Sequence, residues 1–278
     1  MSIIMLADNG SVRAPATLQL RSLAKSLSEE THKEIVPVSL KHADRIPLEK
    51  IDGKAARVFN EFMIEQLSAG EREFLLLPLF FGESKALTSF IPDELHLLEE
   101  KFGAFKFEIA PVIYPLPEGD SQLASIVHDH LISTTKNNDH SMANIVLVDH
   151  GSPIPRITAV RQHIAQAVQS KLPEGITLEE AVMERREGKE YDFNGSLLTD
   201  WLLAKACAGE THASVILMFF LPGRHAGVGG DIADICNAVM EKYPNFKIAI
   251  SPLIAEHPKL LTILANRLQS TFIQKGQK

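Results

Sequence analysis

Short apolar runs alternate with amphipathic stretches along the whole chain, and the alternation comes twice. In the second half the short apolar runs fall at 144–149, 176–183, 213–219 and 247–250, each of strand length. Between them lie stretches near 157–171, 196–208, 231–243 and 258–271 whose apolar residues recur at helical spacing. The first half predicts strands at 2–7, 35–39, 74–79 and 107–112, with helices near 14–28, 54–67, 92–102 and 122–132. Runs without polar interruption, such as Ile216-Leu217-Met218-Phe219-Phe220, suit a parallel sheet covered by helices on both faces. The expected fold class is α/β, with two tandem doubly wound parallel-sheet domains facing each other across a cleft. The polar segment 133–141 has no periodic apolar positions and reads as a linker, which sets the domains at 1–135 and 142–278.

The halves also resemble each other residue by residue. At an offset of 141, Ile4–Ser11 matches Ile145–Ser152, and Phe80–Ser84 falls on Leu221–His225. The same offset carries Pro111 to Pro252, Ile113 to Ile254 and Pro117 to Pro258. One offset held over this span reads as a pseudo-two-fold duplication. At two matched positions the chemistry differs: Asn9 faces His150, and Ser84 faces His225. The expectation is an active second half, carrying a histidine pair, beside a structural first half.

At 278 residues the chain can bury two ordinary cores, and its 45% hydrophobic and 23% charged content is that of a water-soluble protein. A net charge of −7 argues against a general nucleic-acid surface. No run approaches the roughly 20 apolar residues of a membrane span. The opening run Ile3–Leu6 is cut off by Asp8 and lacks the basic start of a signal peptide. Cys207 and Cys236 form no motif and are expected in the core of a protein from a reducing compartment, so the expected location is cytoplasmic.

His150 lies in Asp-His-Gly-Ser-Pro, where Gly151 gives backbone freedom, Ser152 serves as an expected helix N-cap and Pro153 suits a first helical turn. The first half keeps Asp8, Gly10 and Ser11 without the histidine, so the turn alone does not explain it. His225 lies in Leu-Pro-Gly-Arg-His-Ala-Gly-Val-Gly-Gly-Asp, a glycine-rich loop that permits close approach to a ligand. Both histidines follow strands at the carboxyl edge of one sheet, where such folds bind ligands, and Glu184 reaches the same edge. Two imidazoles and a carboxylate suit iron, cobalt, nickel or zinc. Arg224, Arg185, Arg186, Arg156 and Lys85 are candidate carboxylate partners, since guanidinium binds carboxylates in a bidentate fork. His128 and His130, two apart on a helix, are expected on a solvated face, and His32, His42, His96, His140, His163, His212 and His257 show no second ligand at a telling spacing.

Val148-Asp149-His150-Gly151-Ser152 together with Phe220-Leu221-Pro222-Gly223-Arg224-His225 resembles the CbiX-type sirohydrochlorin chelatases of the class II chelatase superfamily, in a two-repeat form. Leu77–Gly82 with Ile91-Pro92 is similar to the same family's second block in diverged form. The resemblance implies two chelatase-like α/β domains and ATP-independent insertion of cobalt, iron or nickel into sirohydrochlorin, in siroheme or cobalamin biosynthesis. The divalent metal is then a substrate, and no organic cofactor is expected. His150 and His225 match the family's catalytic histidines, and Glu184 completes the metal ligands. Substrate contacts are expected from Arg224, Arg185, Gly223 and Ser152. Long members of the family usually carry the active pair in the first half, and this chain carries it in the second. The expected partner is a tetrapyrrole, with no nucleic acid or membrane, and the protein acts as a monomer or homodimer. A tetrapyrrole or metal carrier, and a metal-dependent hydrolase, stay open as other classes.

Overall fold

The computed structural model describes residues 2–137 and 142–276. Contacts divide the chain into two units, Met1–Pro115 with Leu260–Lys278, and Leu116–Lys259. In the first unit β1 (Ile3–Asp8), β2 (Ile35–Ser39), β3 (Glu73–Pro78) and β4 (Lys106–Ile109) form a parallel sheet in the order β2-β1-β3-β4. Helices α1 (Ala14–Thr31), α2 (Phe59–Ser68) and α3 (Ile91–Phe102) connect the strands. The second unit repeats the plan with β5 (Ile145–Asp149), β6 (Leu178–Val182), a short β7 (Ser196–Leu197), β8 (His212–Leu217) and β9 (Lys247–Ile250), in the order β7-β6-β5-β8-β9. All its pairs are parallel, and its connecting helices are α5 (Pro155–Gln169), α6 (Leu198–Cys207) and α7 (Asp231–Lys242). These are the two doubly wound sheets that the alternating runs predict, with β7 as an addition too short for the pattern to reveal.

The central strands are apolar throughout because helices cover both of their faces: Met5, Leu6 and Ala7 in β1, and Val146, Leu147 and Val148 in β5, are all fully buried. Each connecting helix turns one apolar stripe inward, as Leu20, Ala24 and Leu27 do in α1. Among the described residues no helix is long and apolar enough to cross a membrane.

The units depart from the boundaries 1–135 and 142–278 through two helices. Helix α4 (Ser121–Asn137) packs on α5 and β8 of the second unit. The first five residues of the expected linker 133–141 therefore belong to a helix, and 138–141, with His140, lie outside the described residues. Helix α8 (Lys259–Gly276) completes the first unit, burying Leu260, Ile263, Leu264 and Leu268. Its Arg267 donates from Nε to the carbonyl of Val112 and from an Nη to that of Ile113, both at 3.1 Å. The pattern along the chain marked both helices but carried no sign of which sheet each would cover.

Removal of α8 is therefore expected to undo the unit assembled around β1, although residues 2–115 stay intact. A chain ending at Lys259 should lose protease protection across 2–115 and keep it across 145–250. Equal protection of both segments would contradict this division.

Candidate functional site

The backbone builds the second unit's carboxyl edge first. The amide of Met183 donates to the carbonyl of Asp149 at 2.9 Å, and that of Glu184 to the carbonyl of His150 at 3.1 Å. This brings the chain after β6 hard against the chain after β5, and only glycine fits at 151. Its φ is +91°, and a Cβ there would lie 1.9 Å from the Glu184 carbonyl oxygen. Ser152 is not the helix cap: α5 begins at Pro155 behind Ile154, and the Ser152 hydroxyl instead accepts from the Ile154 amide at 3.1 Å. Its proline is likewise Pro155, not Pro153.

His150, Glu184 and His225 come together. His150 Nε2 is 3.3 Å from Glu184 Oε1, and the His150 and His225 rings meet edge to face with centroids 4.6 Å apart. His150 Nδ1 lies 3.0 Å from the Gly151 carbonyl oxygen, which can only accept, so a proton on Nδ1 makes this a hydrogen bond while Nε2 faces Glu184. The gap between Nε2 and the carboxylate suits a cation, either a proton or a metal ion. His225 Nδ1 lies 2.7 Å from Asp231 Oδ2, an orienting carboxylate contact that leaves Nε2 available. The side chains of His150, Glu184 and His225 are 44%, 63% and 32% exposed, open to a ligand from solution. The expected three-ligand metal site is less complete than the sequence implies. Among the described residues no three His, Cys, Asp or Glu side chains converge as a metal cage.

The expected substrate contacts are placed unevenly. Arg224 is exposed beside His225, its Nε 3.7 Å from Asp231. Arg185 turns back to its own loop, donating to Asp192 at 3.3 Å and to the Gly195 carbonyl at 3.1 Å. The Gly223 amide donates to the Ala226 carbonyl at 2.9 Å and closes the His225 loop, while the Ser152 amide donates to Asn194 Oδ1 at 3.0 Å.

Under this edge lies a polar group that no sequence motif marks. Arg161, 2% exposed on α5, donates to Asp149 at 2.8 Å, to Glu180 at 3.0 Å and to the Asn194 carbonyl at 2.8 Å. Asp149 also accepts from the Gly151 amide at 3.0 Å. Burial pushes the Asp149 carboxyl up, and the adjacent guanidinium opposes that rise. The fully buried Asn194 accepts from Thr158 Oγ1 at 3.1 Å and donates to the carbonyls of Ser152 and Tyr191. One signal marked Arg161 beforehand: it stands four residues before Ala165 and seven before Val168, on the stripe that the helix buries.

The first unit repeats the turn and changes its chemistry. Gly10 has φ +89°, and its Cβ would lie 1.8 Å from the Lys41 carbonyl oxygen. The Lys41 amide donates to the Asn9 carbonyl at 3.2 Å, so Lys41 holds the place that Glu184 holds in the second unit. Its ammonium sits 3.7 Å over the Phe90 ring. Asp8 is buried like Asp149, but α1 offers Leu20 where α5 offers Arg161, and Asp8 accepts from the Ser39 hydroxyl at 2.7 Å and from the Gly10 backbone, with no guanidinium beside it. Burial pushes its carboxyl up to about 6.

The single offset of 141 does not survive along the whole chain. It holds for β1 and β5, but the amides of Ile113 and Ile254 bond to the carbonyls of Phe80 and Phe219, not of Phe80 and Leu221. Ser84 is therefore not in register with His225. The segment after Phe81 turns helical at Ala86, whereas the second unit runs through the glycine-rich loop to Asp231. Two other expectations are corrected. His130 is buried against the His257 ring, centroids 5.5 Å apart, and His257 Nε2 lies 3.4 Å from Asp129. Cys236 is in the core as expected, but Cys207 is exposed, with its Sγ 3.0 Å from the Tyr243 hydroxyl.

Residues 144–271 match the family model described as CbiX. A search of the curated proteins finds no match. Similar solved structures include SirB from Bacillus subtilis with Fe3+, 15% identical at a TM-score of 0.66 over 98% of this chain and 96% of that one. The sirohydrochlorin chelatase SirB from Bacillus subtilis subspecies spizizenii in complex with cobalt is 14% identical at 0.67, over 98% and 95%. A third, CbiX, described as the terminal enzyme for biosynthesis of siroheme in denitrifying bacteria, is 14% identical at 0.60, over 97% and 99%. At such identities the likeness establishes a shared fold.

Two outcomes follow from this geometry. Gly151→Ala should lower stability by more than about 2 kcal/mol, since the new methyl meets backbone at a strained φ; chemical denaturation reads this directly. Asp8 holds its proton more tightly when folded, so its contribution is present below pH 3.8 and lost as pH rises through about 6. The rise corresponds to about 3 kcal/mol. Asp8→Asn should remove that loss, so the variant's stability relative to wild type should improve between about pH 4.5 and 7.

Proposed function

We propose, on the premise that residues 144–271 belong to the CbiX family, that the protein inserts a divalent metal ion into a sirohydrochlorin-like tetrapyrrole without ATP. The observation that carries this reading is the pairing of each imidazole with its own carboxylate, His150 with Glu184 at 3.3 Å and His225 with Asp231 at 2.7 Å. Cobalt and Fe3+ in similarly folded proteins agree with it.

The reaction brings a hydrated divalent ion to the macrocycle and removes two pyrrole N–H protons, giving metallated ring and two protons. His150 Nε2 and Glu184 first hold the metal, and His225 Nε2 becomes a further donor. Imidazole and carboxylate suit cobalt, iron and nickel, and a partial ligand set leaves positions on the ion for the ring nitrogens. As the metal passes to the ring, the freed imidazoles accept the two protons, general-base work for which histidine is the commonest side chain. Glu184 and Asp231 then each face a positive imidazolium, which lowers the cost of forming it. Arg224, exposed beside His225, is placed to meet a substrate carboxylate. The chemistry belongs to the second unit, since the first offers Asn9 and Lys41 at the places of His150 and Glu184.

An anaerobic absorbance assay of sirohydrochlorin with cobalt(II), iron(II) or nickel(II) tests this. Wild type should accelerate the metal-dependent spectral change, and His150→Ala and His225→Ala should each slow it by roughly 10²–10⁴-fold. Full rates in both variants would refute the assignment. A bound-ligand shift without acceleration would identify a tetrapyrrole carrier instead.

A further inference from the structure

A histidine that receives, releases and protonates around a metal must keep its place through all three events. The loop 150–152 is exposed at its histidine, yet its backbone is tied from beneath. The Gly151 amide is held by Asp149, and both the amide and the carbonyl of Ser152 are held by the Asn194 side chain. Asp149 and the Asn194 carbonyl are in turn two of the three groups gripped by Arg161. The third, Glu180, lies on β6, the strand that leads to Glu184. One planar, fully charged group thus ties the His150 loop, the Glu184 strand and the segment that ends at Asn194.

The first unit acts as an internal control. It has the same turn, the same buried aspartate and the same helix entry, but Leu20 stands where Arg161 would be, and the metal-ligand pair is absent with it. The turn therefore forms without the guanidinium, and the guanidinium occurs where histidine and glutamate must be held at a fixed separation.

We infer that Arg161 is a positioning residue of the metal site, acting through Asp149, Asn194 and Glu180 to fix His150 Nε2 against Glu184. This rests on the functional reading above. Partners behind metal ligands typically change metal affinity by about 10–100-fold when removed. Lysine keeps the charge but has no planar fork and reaches fewer acceptors.

The test is cobalt(II) titration of the metal-free protein, read by visible absorbance, beside chelatase kinetics and thermal unfolding. Arg161→Lys should bind cobalt about 10–100-fold more weakly and lower kcat by a similar factor, with KM for the tetrapyrrole unchanged. Should Arg161→Lys fail to fold, Thr158→Val removes only the hydroxyl that steadies Asn194 and should weaken cobalt binding about fivefold. Folded variants with wild-type cobalt affinity and spectrum, whatever their melting temperature, would overturn the inference and leave the chelatase reading intact. A wild-type protein that binds no cobalt, iron or nickel would overturn both.

Discussion

A guanidinium shut away from water has five N–H donors and no alternative to protein acceptors. Arg161 satisfies that constraint with two carboxylates and a backbone carbonyl, and the second unit's carboxyl edge is organised around the result. Breaking such a group costs more than forming it yields, because whatever remains is a buried charge without a partner. The exposed loop above it inherits this stiffness. Flexible glycine and exposed imidazole can then coexist with fixed geometry, which a solvent-facing loop does not ordinarily provide.

Much of the fold was legible because strands buried on both faces have to be apolar along their length. The runs around Leu6, Leu76, Leu147 and Ile216 betray themselves in that way. The histidines stood out for a different reason: the duplicate turn keeps Asp8 and Gly10 and dispenses with an imidazole. Arg161 and Asn194 were harder to see. Each is one polar residue in ordinary surroundings, and its meaning comes mainly from partners as far as 42 residues away along the chain. Ser84 misled because a short Phe-Phe-Gly match is tolerant of a two-residue slip, whereas a hydrogen-bond ladder is not.

The two units show how one backbone turn can serve opposite electrostatics. After β5 the turn presents imidazole and carboxylate over a buried ion pair; after β1 it presents an amide and an ammonium over a carboxyl that burial drives toward neutrality. In the first unit the guanidinium and the imidazole–carboxylate pair are absent together, with Leu20 at the place of Arg161 and Asn9 and Lys41 at the places of His150 and Glu184.

The destination of α8 has a consequence for how the chain is made. Residues 116–259 are continuous and include every element of the second unit, so that unit is complete on the ribosome once Lys259 has emerged. The first unit is synthesised earlier but lacks Leu260, Ile263 and Leu264 until α8 is translated. Order of synthesis and order of completion are thus reversed. The half without the His150–His225 pair waits for Leu260, Ile263 and Leu264 until helix α8 has been made.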